Sequence, residues 1–455
     1  MPNDNLSLAR PTSIVVDAPP EPPAGDIANM PSTRKRFALS NPELKLSRSR
    51  SRGSTLVGLD IQPGYVSAVQ ARVNGSILVQ RAAGAALPPD VVREGEVLDG
   101  AVLSDTLREM FEQSRMDKRV RVGVANQRTV LRTMELPPLT DRKELATAVR
   151  FQAEDQMPMP LDNAVLDFHP LGVIDTPAGP RQRVIVVAAQ KDMVERLLDA
   201  VRGAGLRPEG IDLSAFALIR SLHRSDEEHG GRVLYLNVGG LTNMAIAEGT
   251  VCRFTRVISG GLESMAIEVA ERNGVKLSEA RELLAAVYLD QGSATAFGST
   301  PTYQSFVGQS DGIDAQFEVD AQSESFDGQS EGLVGQREGF EDQPEAFDSQ
   351  AEPAPTEQPR IDVRPILSAG VREIAGEVRN SLDFHRSQEG GGEVSSVVVS
   401  GPALQIKGFS QALQNELRVP LKPQIVGLFE QANVGDIAPE RLAVATGLAV
   451  EEAPR

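Results

Sequence analysis

Short apolar runs alternate with amphipathic stretches along this chain, and their order predicts an α/β protein. Residues 56–61 and 66–73 are strand-like runs on either side of Gln62-Pro63-Gly64, which predicts a β-hairpin. Leu103, Leu107, Met110 and Phe111 recur at helical spacing, with Ser104 or Asp105 as the expected N-cap. Residues 120–124 read as a further short strand. Thr140-Asp141 signals the start of a helix that runs to about Glu154. Met157-Pro158-Met159-Pro160 ends it, because proline cannot continue the helical hydrogen bonding. A buried-type strand at 184–189 precedes a helix carrying Val194, Leu197, Leu198 and Val201, closed by Gly203 and Gly205.

From residue 232 the opening order repeats. A strand at 233–238, the turn Gly239-Gly240, a return strand at 242–247 and a third at 251–257 lead through Ser259-Gly260-Gly261 into a helix with Met265 and Val269 on one face. Further on, Pro365 suits the first turn of a helix striped by Leu367, Val371, Ile374 and Val378. A buried strand at 397–399, the turn Ser400-Gly401-Pro402 and a closing helix at 439–450 complete the pattern.

Two stretches lack any such period. Residues 1–53 carry Pro19-Pro20, Pro22-Pro23 and the basic runs Arg34-Lys35-Arg36 and Arg48-Ser49-Arg50-Ser51-Arg52, which predicts a disordered basic tail able to touch anionic lipid or an acidic partner. Residues 290–360 are rich in Gln, Ser, Gly and acid, and the fragment Ser305-Phe306-Val307-Gly308-Gln309-Ser310 returns almost unchanged at Ser325-Phe326-Asp327-Gly328-Gln329-Ser330. This predicts a disordered acidic insertion. Residues 290–359 hold 15 Asp/Glu against one Arg, so the net charge of −17 is regional and the body is nearly neutral. A broad basic field for nucleic acid is thereby excluded.

At 455 residues the chain suits two or three domains. No apolar run reaches the roughly 18 residues of a membrane span, and no basic–apolar–small pattern marks a secretory signal at the N-terminus. Cys252 is the single cysteine, which excludes a disulfide framework and a cysteine zinc site. His169, His223, His229 and His385 are too scattered to suggest a metal centre.

The candidate chemistry lies in the two hairpins. Gly64 in the first, and Gly239 and Gly240 in the second, allow backbone N–H groups to approach a phosphate closely, while Asp60 at a strand end could hold a metal-bound water. The competing reading of Asp60 is a buried strand-end acid bonded to backbone.

The order of first hairpin, inserted α/β unit, second hairpin, Gly-Gly helix and late Ser-Gly turn resembles the actin-like ATPase superfamily. Within it, the chain is similar to the type IV pilus assembly PilM family, relatives of the cell-division protein FtsA. The similarity rests on residues 57–69, Leu136-Pro137-Pro138-Leu139, Glu144-Leu145, Phe151-Gln152-Ala153-Glu154, Met157-Pro158-Met159-Pro160-Leu161, residues 164–168 and 184–189, Ala204-Gly205-Leu206-Arg207-Pro208, and Ile211-Asp212 through Arg220. It covers about 55–289 and 361–450.

The resemblance implies two lobes, each with a mixed sheet and helices. Lobe 1 would span 54–124 and 208–231, with an inserted small α/β subdomain at 125–207. Lobe 2 would span 232–289 and 361–455. It implies ATP and Mg as candidate ligands, with Asp60, Gln62, Gly64, Ser67, Asn237, Gly239, Gly240, Thr242, Gly260, Gly261 and Gly401 as nucleotide-site candidates and Asp60 as the Mg contact. It implies a cytoplasmic scaffold at the inner face of the cytoplasmic membrane, holding the N-terminal peptide of a PilN-like bitopic protein among other pilus assembly proteins. Leu145, Val149, Phe151, Gln152 and Met157 are the groove candidates; ordinary packing of Phe151 and Met157 competes with that role.

Departures from the family pattern bear on nucleotide chemistry. Gln62 stands for a glycine, Ser67 for a lysine, Asn237 for an aspartate, Arg281 and Leu284 for an acid and a lysine, and Pro402-Ala403 for paired glycines. Charged hydrogen bonds contribute about 1.5–3 kcal/mol each, so losing several weakens a phosphate clamp. The expectation is a scaffold with weak or no hydrolysis. The alternatives are an active, polymerising actin- or FtsA-like ATPase, and a carbohydrate kinase, for which no catalytic acid with a sugar-binding polar set is evident.

Overall fold

The computed structural model describes residues 56–74, 76–224, 231–289, 361–388 and 390–451; the tail at 1–53 and the insertion at 290–360 lie outside them. Val57–Gln62 (β1), Tyr65–Asn74 (β2) and Ser76–Ala86 (β3) form an antiparallel meander. The short strands Val92–Arg93 (β4) and Glu96–Val97 (β5) pair with each other. Helix Gly100–Ser114 (α1) starts earlier than its apolar period suggests. Asp99 caps it, its Oδ1 accepting from the N–H groups of Ala101 and Val102 at 3.0 Å each. Ser104 is no cap: its buried hydroxyl donates to the carbonyls of Gly100 and Ala200. Arg119–Val124 (β6) then lies parallel to β1.

Residues 129–190 build a separate layer. Thr129–Leu136 (β7), helix Arg142–Gln156 (α2), Ala164–Thr176 (β8) and Gly179–Gln190 (β9) give an antiparallel sheet in the order β7-β9-β8. Asp141 caps α2 as expected. Met134, Val184 and Val186 pack with Leu145 and Val149 of α2 into a small core of its own. Lys191–Gly203 (α3) leads to Arg207–Leu213 (β10), which joins β6 in parallel, and to Ser214–Leu222 (α4).

Arg232–Val238 (β11), Thr242–Glu248 (β12) and Val251–Ile258 (β13) form a second antiparallel meander, followed by Leu262–Asn273 (α5) and Leu277–Ala286 (α6). Arg364–Ser387 (α7), Val394–Ser400 (β14), Phe409–Leu417 (α8), Leu421–Pro423 (β15), Gly427–Asn433 (β16) and Ala443–Leu448 (α9) complete the fold.

The larger sheets run β10-β6-β1-β2-β3-β16 and β13-β12-β11-β14-β15. Each is a three-strand meander extended by two parallel strands on the side of its first strand, so the two lobes share one plan. The C-terminal stretch departs from the expected boundary. β16 pairs with β3 and α9 packs on β1, so residues from 427 onward join the first sheet, not the second lobe. The expected helix at 439–450 is a short 3-10 turn, Pro439–Arg441, followed by α9.

α4 is buried along its whole length, between α9 and the strands of both large sheets. Its Arg220 forms a fully buried ion pair with Asp212 and donates from Nε to the carbonyl of Gly447 at 3.0 Å. Arg121 Nη1 donates to the carbonyl of Val450 at 2.9 Å. Buried arginines therefore hold the chain's return to the first lobe, each satisfied by carbonyls that a helix end leaves unpaired. Cys252 is buried, which pushes its thiol up to about 12 and leaves it unreactive.

Candidate functional site

The two meanders bring their first turns together. β1 ends in Asp60 and Gln62 ahead of Pro63-Gly64, and β11 ends in Asn237 and Val238 ahead of Gly239-Gly240. Gln62 joins the two. Its Nε2 donates to Asp60 Oδ2 at 2.7 Å, and its Oε1 accepts from the N–H of Gly240 at 3.2 Å. Burial pushes the Asp60 carboxyl up to about 7, against the lowering effect of the Gln62 hydrogen bond.

A phosphate cradle needs free N–H donors and empty space. The donors of this loop are committed: Gly239 N–H to the Leu241 carbonyl at 2.9 Å, Gly240 N–H to Gln62, and Gly261 N–H to Ser264 Oγ at 3.2 Å. The space is taken as well. A Cβ on Gly239 would lie 2.3 Å from Gln62 Oε1, and one on Gly240 would lie 2.2 Å from the Pro63 carbonyl oxygen. A Cβ on Gly261 would lie 2.4 Å from the Gly240 carbonyl oxygen. These glycines let one turn touch another turn.

Beside the turns, Arg281 of α6 pairs with Glu263 of α5 and donates from Nη1 to the Leu87 carbonyl at 3.2 Å, reaching across to the first lobe. In the sequence Arg281 stands only as a departure from the family pattern and Glu263 carries no signal of its own; the two meet because α5 and α6 pack together. The remaining candidates serve other contacts. Ser67 Oγ donates to the Arg441 carbonyl at 3.4 Å, so it faces the C-terminal stretch. Thr242 Oγ1 donates to the Gly260 carbonyl at 2.7 Å, and Asn237 Oδ1 accepts from Ser400 Oγ at 3.1 Å. Gly401 packs on the backbone of Val238.

The residues present do not fit ATP and Mg. The side chain that should leave room for a phosphate fills that room. The proposed metal-facing carboxylate is buried on an amide and holds its proton near neutrality. Among the described residues no group of three His, Cys, Asp or Glu is placed to hold a metal ion.

The expected peptide groove also needs correction. Leu145, Val149 and Met157 are buried in the core of the small sheet, because the apolar stripe of α2 covers that sheet. Only Phe151, 76% exposed, and Gln152 remain accessible. Gln152 lines a cleft of 1160 Å³ between β7 and β13.

Residues 129–135 and 253–257 line that cleft consecutively. A strand that shows a face contributes alternate residues, so consecutive lining means that each strand presents an edge. Both are edge strands of their sheets. Phe254 and Phe384 stand near each other, with ring centroids 6.1 Å apart. Thr129, Asn243 and His385, residues of the cleft wall, each carry a buried side-chain atom without a hydrogen-bond partner: Oγ1, Nδ2 and Nδ1. Burial and the Arg232 guanidinium hold His385 below the ordinary histidine range, so it is neutral at pH 7.

Two meander-plus-parallel sheets, joined through facing turns and carrying an inserted small α/β subdomain, are the arrangement that the sequence resemblance to the actin-like ATPase fold predicts. The chain belongs to the type IV pilus assembly protein PilM family, whose model matches residues 58–285, half of its length. A solved PilM–PilN type IV pilus biogenesis complex aligns at 24% identity, covering 87% of this chain and 98% of that one, with a TM-score of 0.60. The ethanolamine utilization protein EutJ from Carboxydothermus hydrogenoformans aligns at 13% identity over 88% and 90% of the two chains, TM-score 0.44. MreB 5 of Spiroplasma citri bound to AMPPNP aligns at 11% identity over 86% and 94%, TM-score 0.42. No described helix is long and apolar enough to cross a membrane.

Proposed function

We propose that this chain is a scaffold of type IV pilus or related type II secretion assembly, placed at the inner face of the cytoplasmic membrane by holding the cytoplasmic N-terminal peptide of a PilN-like partner. Family membership supports the pilus setting. The observation that carries the binding mode is the cleft between β7 and β13, walled along its length by two strand edges. Unpaired strand edges accept an extended peptide through main-chain hydrogen bonds, and apolar side chains such as Phe254 and Phe384 select what sits between them.

Titrating the protein with a synthetic peptide from the partner's N-terminus tests this. Saturable binding is expected, weakened about tenfold or more by Phe254→Ala, since truncating a buried aromatic anchor costs on the order of 1–2 kcal/mol. Phe151→Ala should leave affinity unchanged, because its ring stands on the outer face of α2. Loss of binding with Phe151→Ala alone would move the peptide to that face, and no binding at all would sink the scaffold reading.

A further inference from the structure

We infer that the paired glycine turns, which the fold would use to cradle a phosphate, act in this chain as a lobe-to-lobe latch closed by Gln62. Three observations converge on it. Gln62 satisfies both lobes with one amide, donating to Asp60 of β1 and accepting from Gly240 at the end of β11. The N–H groups of Gly239, Gly240 and Gly261 are already spent within the protein, so a phosphate arriving here would have to break a bond for each donor it gained. The Glu263–Arg281 pair, tied to the Leu87 carbonyl, is a second fastening beside the first.

A glutamine suits this role. Its amide carries a donor and an acceptor at one end, so it can replace both an anion that accepts from a loop and the water that such an anion would keep on Asp60. A glycine at 62 would leave the space open, and an acid would set a second carboxylate against Asp60. The latch works without a ligand, so the relative position of the lobes does not wait on nucleotide. On the proposed function, the cleft walls β7 and β13 belong to the inserted subdomain and the second lobe, so a closed latch presents them ready-spaced and lowers the ordering cost of binding.

The test uses the full chain without peptide, so it stands apart from the partner reading. Calorimetric titration with Mg-ATP and Mg-ADP is expected to show no saturable binding to the wild type at millimolar nucleotide. Amide hydrogen exchange at Gly240 is expected to be slow in the wild type and at least tenfold faster in Gln62→Ala, with unchanged circular dichroism. Should Gln62→Ala fail to fold, Arg281→Ala gives the same reading at the amide of Gly64, beside which the Glu263–Arg281 fastening lies. Saturable nucleotide binding to the wild type would overturn the inference. Exchange unaltered in the variant that folds would overturn it as well.

Discussion

Asp60 shows how one side chain can change roles without changing place. It sits at the strand end where a metal-facing acid was expected, but the tertiary structure buries it on an amide and raises its carboxyl to about 7. The sign of the resulting pH dependence follows from linkage. The folded protein holds this proton more tightly than the unfolded chain, whose Asp titrates near 4, so the stabilisation is complete below about pH 4 and is lost as pH rises to 7. The loss is on the order of a few kcal/mol. Asp60→Asn has no proton to lose, so its urea midpoint should fall less between pH 4 and 7 than that of the wild type. Equal slopes would show that Asp60 does not titrate in this window. Gln62 could be read in sequence only as a missing glycine; its bond to Gly240, 178 positions away, could not.

At the scale of elements, the approach of α9 is the most demanding contact. It lies against β1 on one side and α4 on the other. A Cβ on Gly447 would come within 1.8 Å of the Ala217 carbonyl oxygen, a backbone atom that cannot step aside as a side chain can. Gly447→Ala is expected to lower stability by about 3 kcal/mol, through overpacking that must displace a helix. Thermal unfolding checks it; a variant within about 0.5 kcal/mol of wild type would mean that α9 is loosely seated. The hairpin β1–β2, the cap of α2 and the stripe of α7 were legible, because strand alternation, an Asx cap and helical spacing are local signals. β3 and β8 were missed. β3 is rich in alanine and poor in β-branched residues, and β8 carries Pro170 with a register shift beside it, so neither reads as a strand.

For the whole molecule, the two lobes are one design used twice, and the inserted sheet and the long insertion are additions to it. The chain enters the insertion after Leu289, whose N–H donates to the Lys407 carbonyl at 2.9 Å, and leaves it at α7, whose apolar stripe is buried. Both ends are thus anchored in the second lobe. Excising 292–358 should leave a single cooperative melt with little change in midpoint, because loop closure costs only about 0.6 kcal/mol per doubling of length. A broadened or lost transition would show that the insertion contributes to the core.

The sequence by itself determined the α/β class, the repeated opening hairpin, the small inserted subdomain and the family, since these follow from the order of apolar periods and from short motifs; the third strand that makes the first hairpin a meander came only from the structure. Only the tertiary structure decided what the motifs do. Leu145, Val149 and Met157 carry the same apolar pattern whether they face a partner or their own sheet, and the β7–β9 pairing turned them inward. The glycines of the two turns allow close approach in either case. What approaches is set by Gln62, Pro63 and Glu263, which reach them from elements far along the chain.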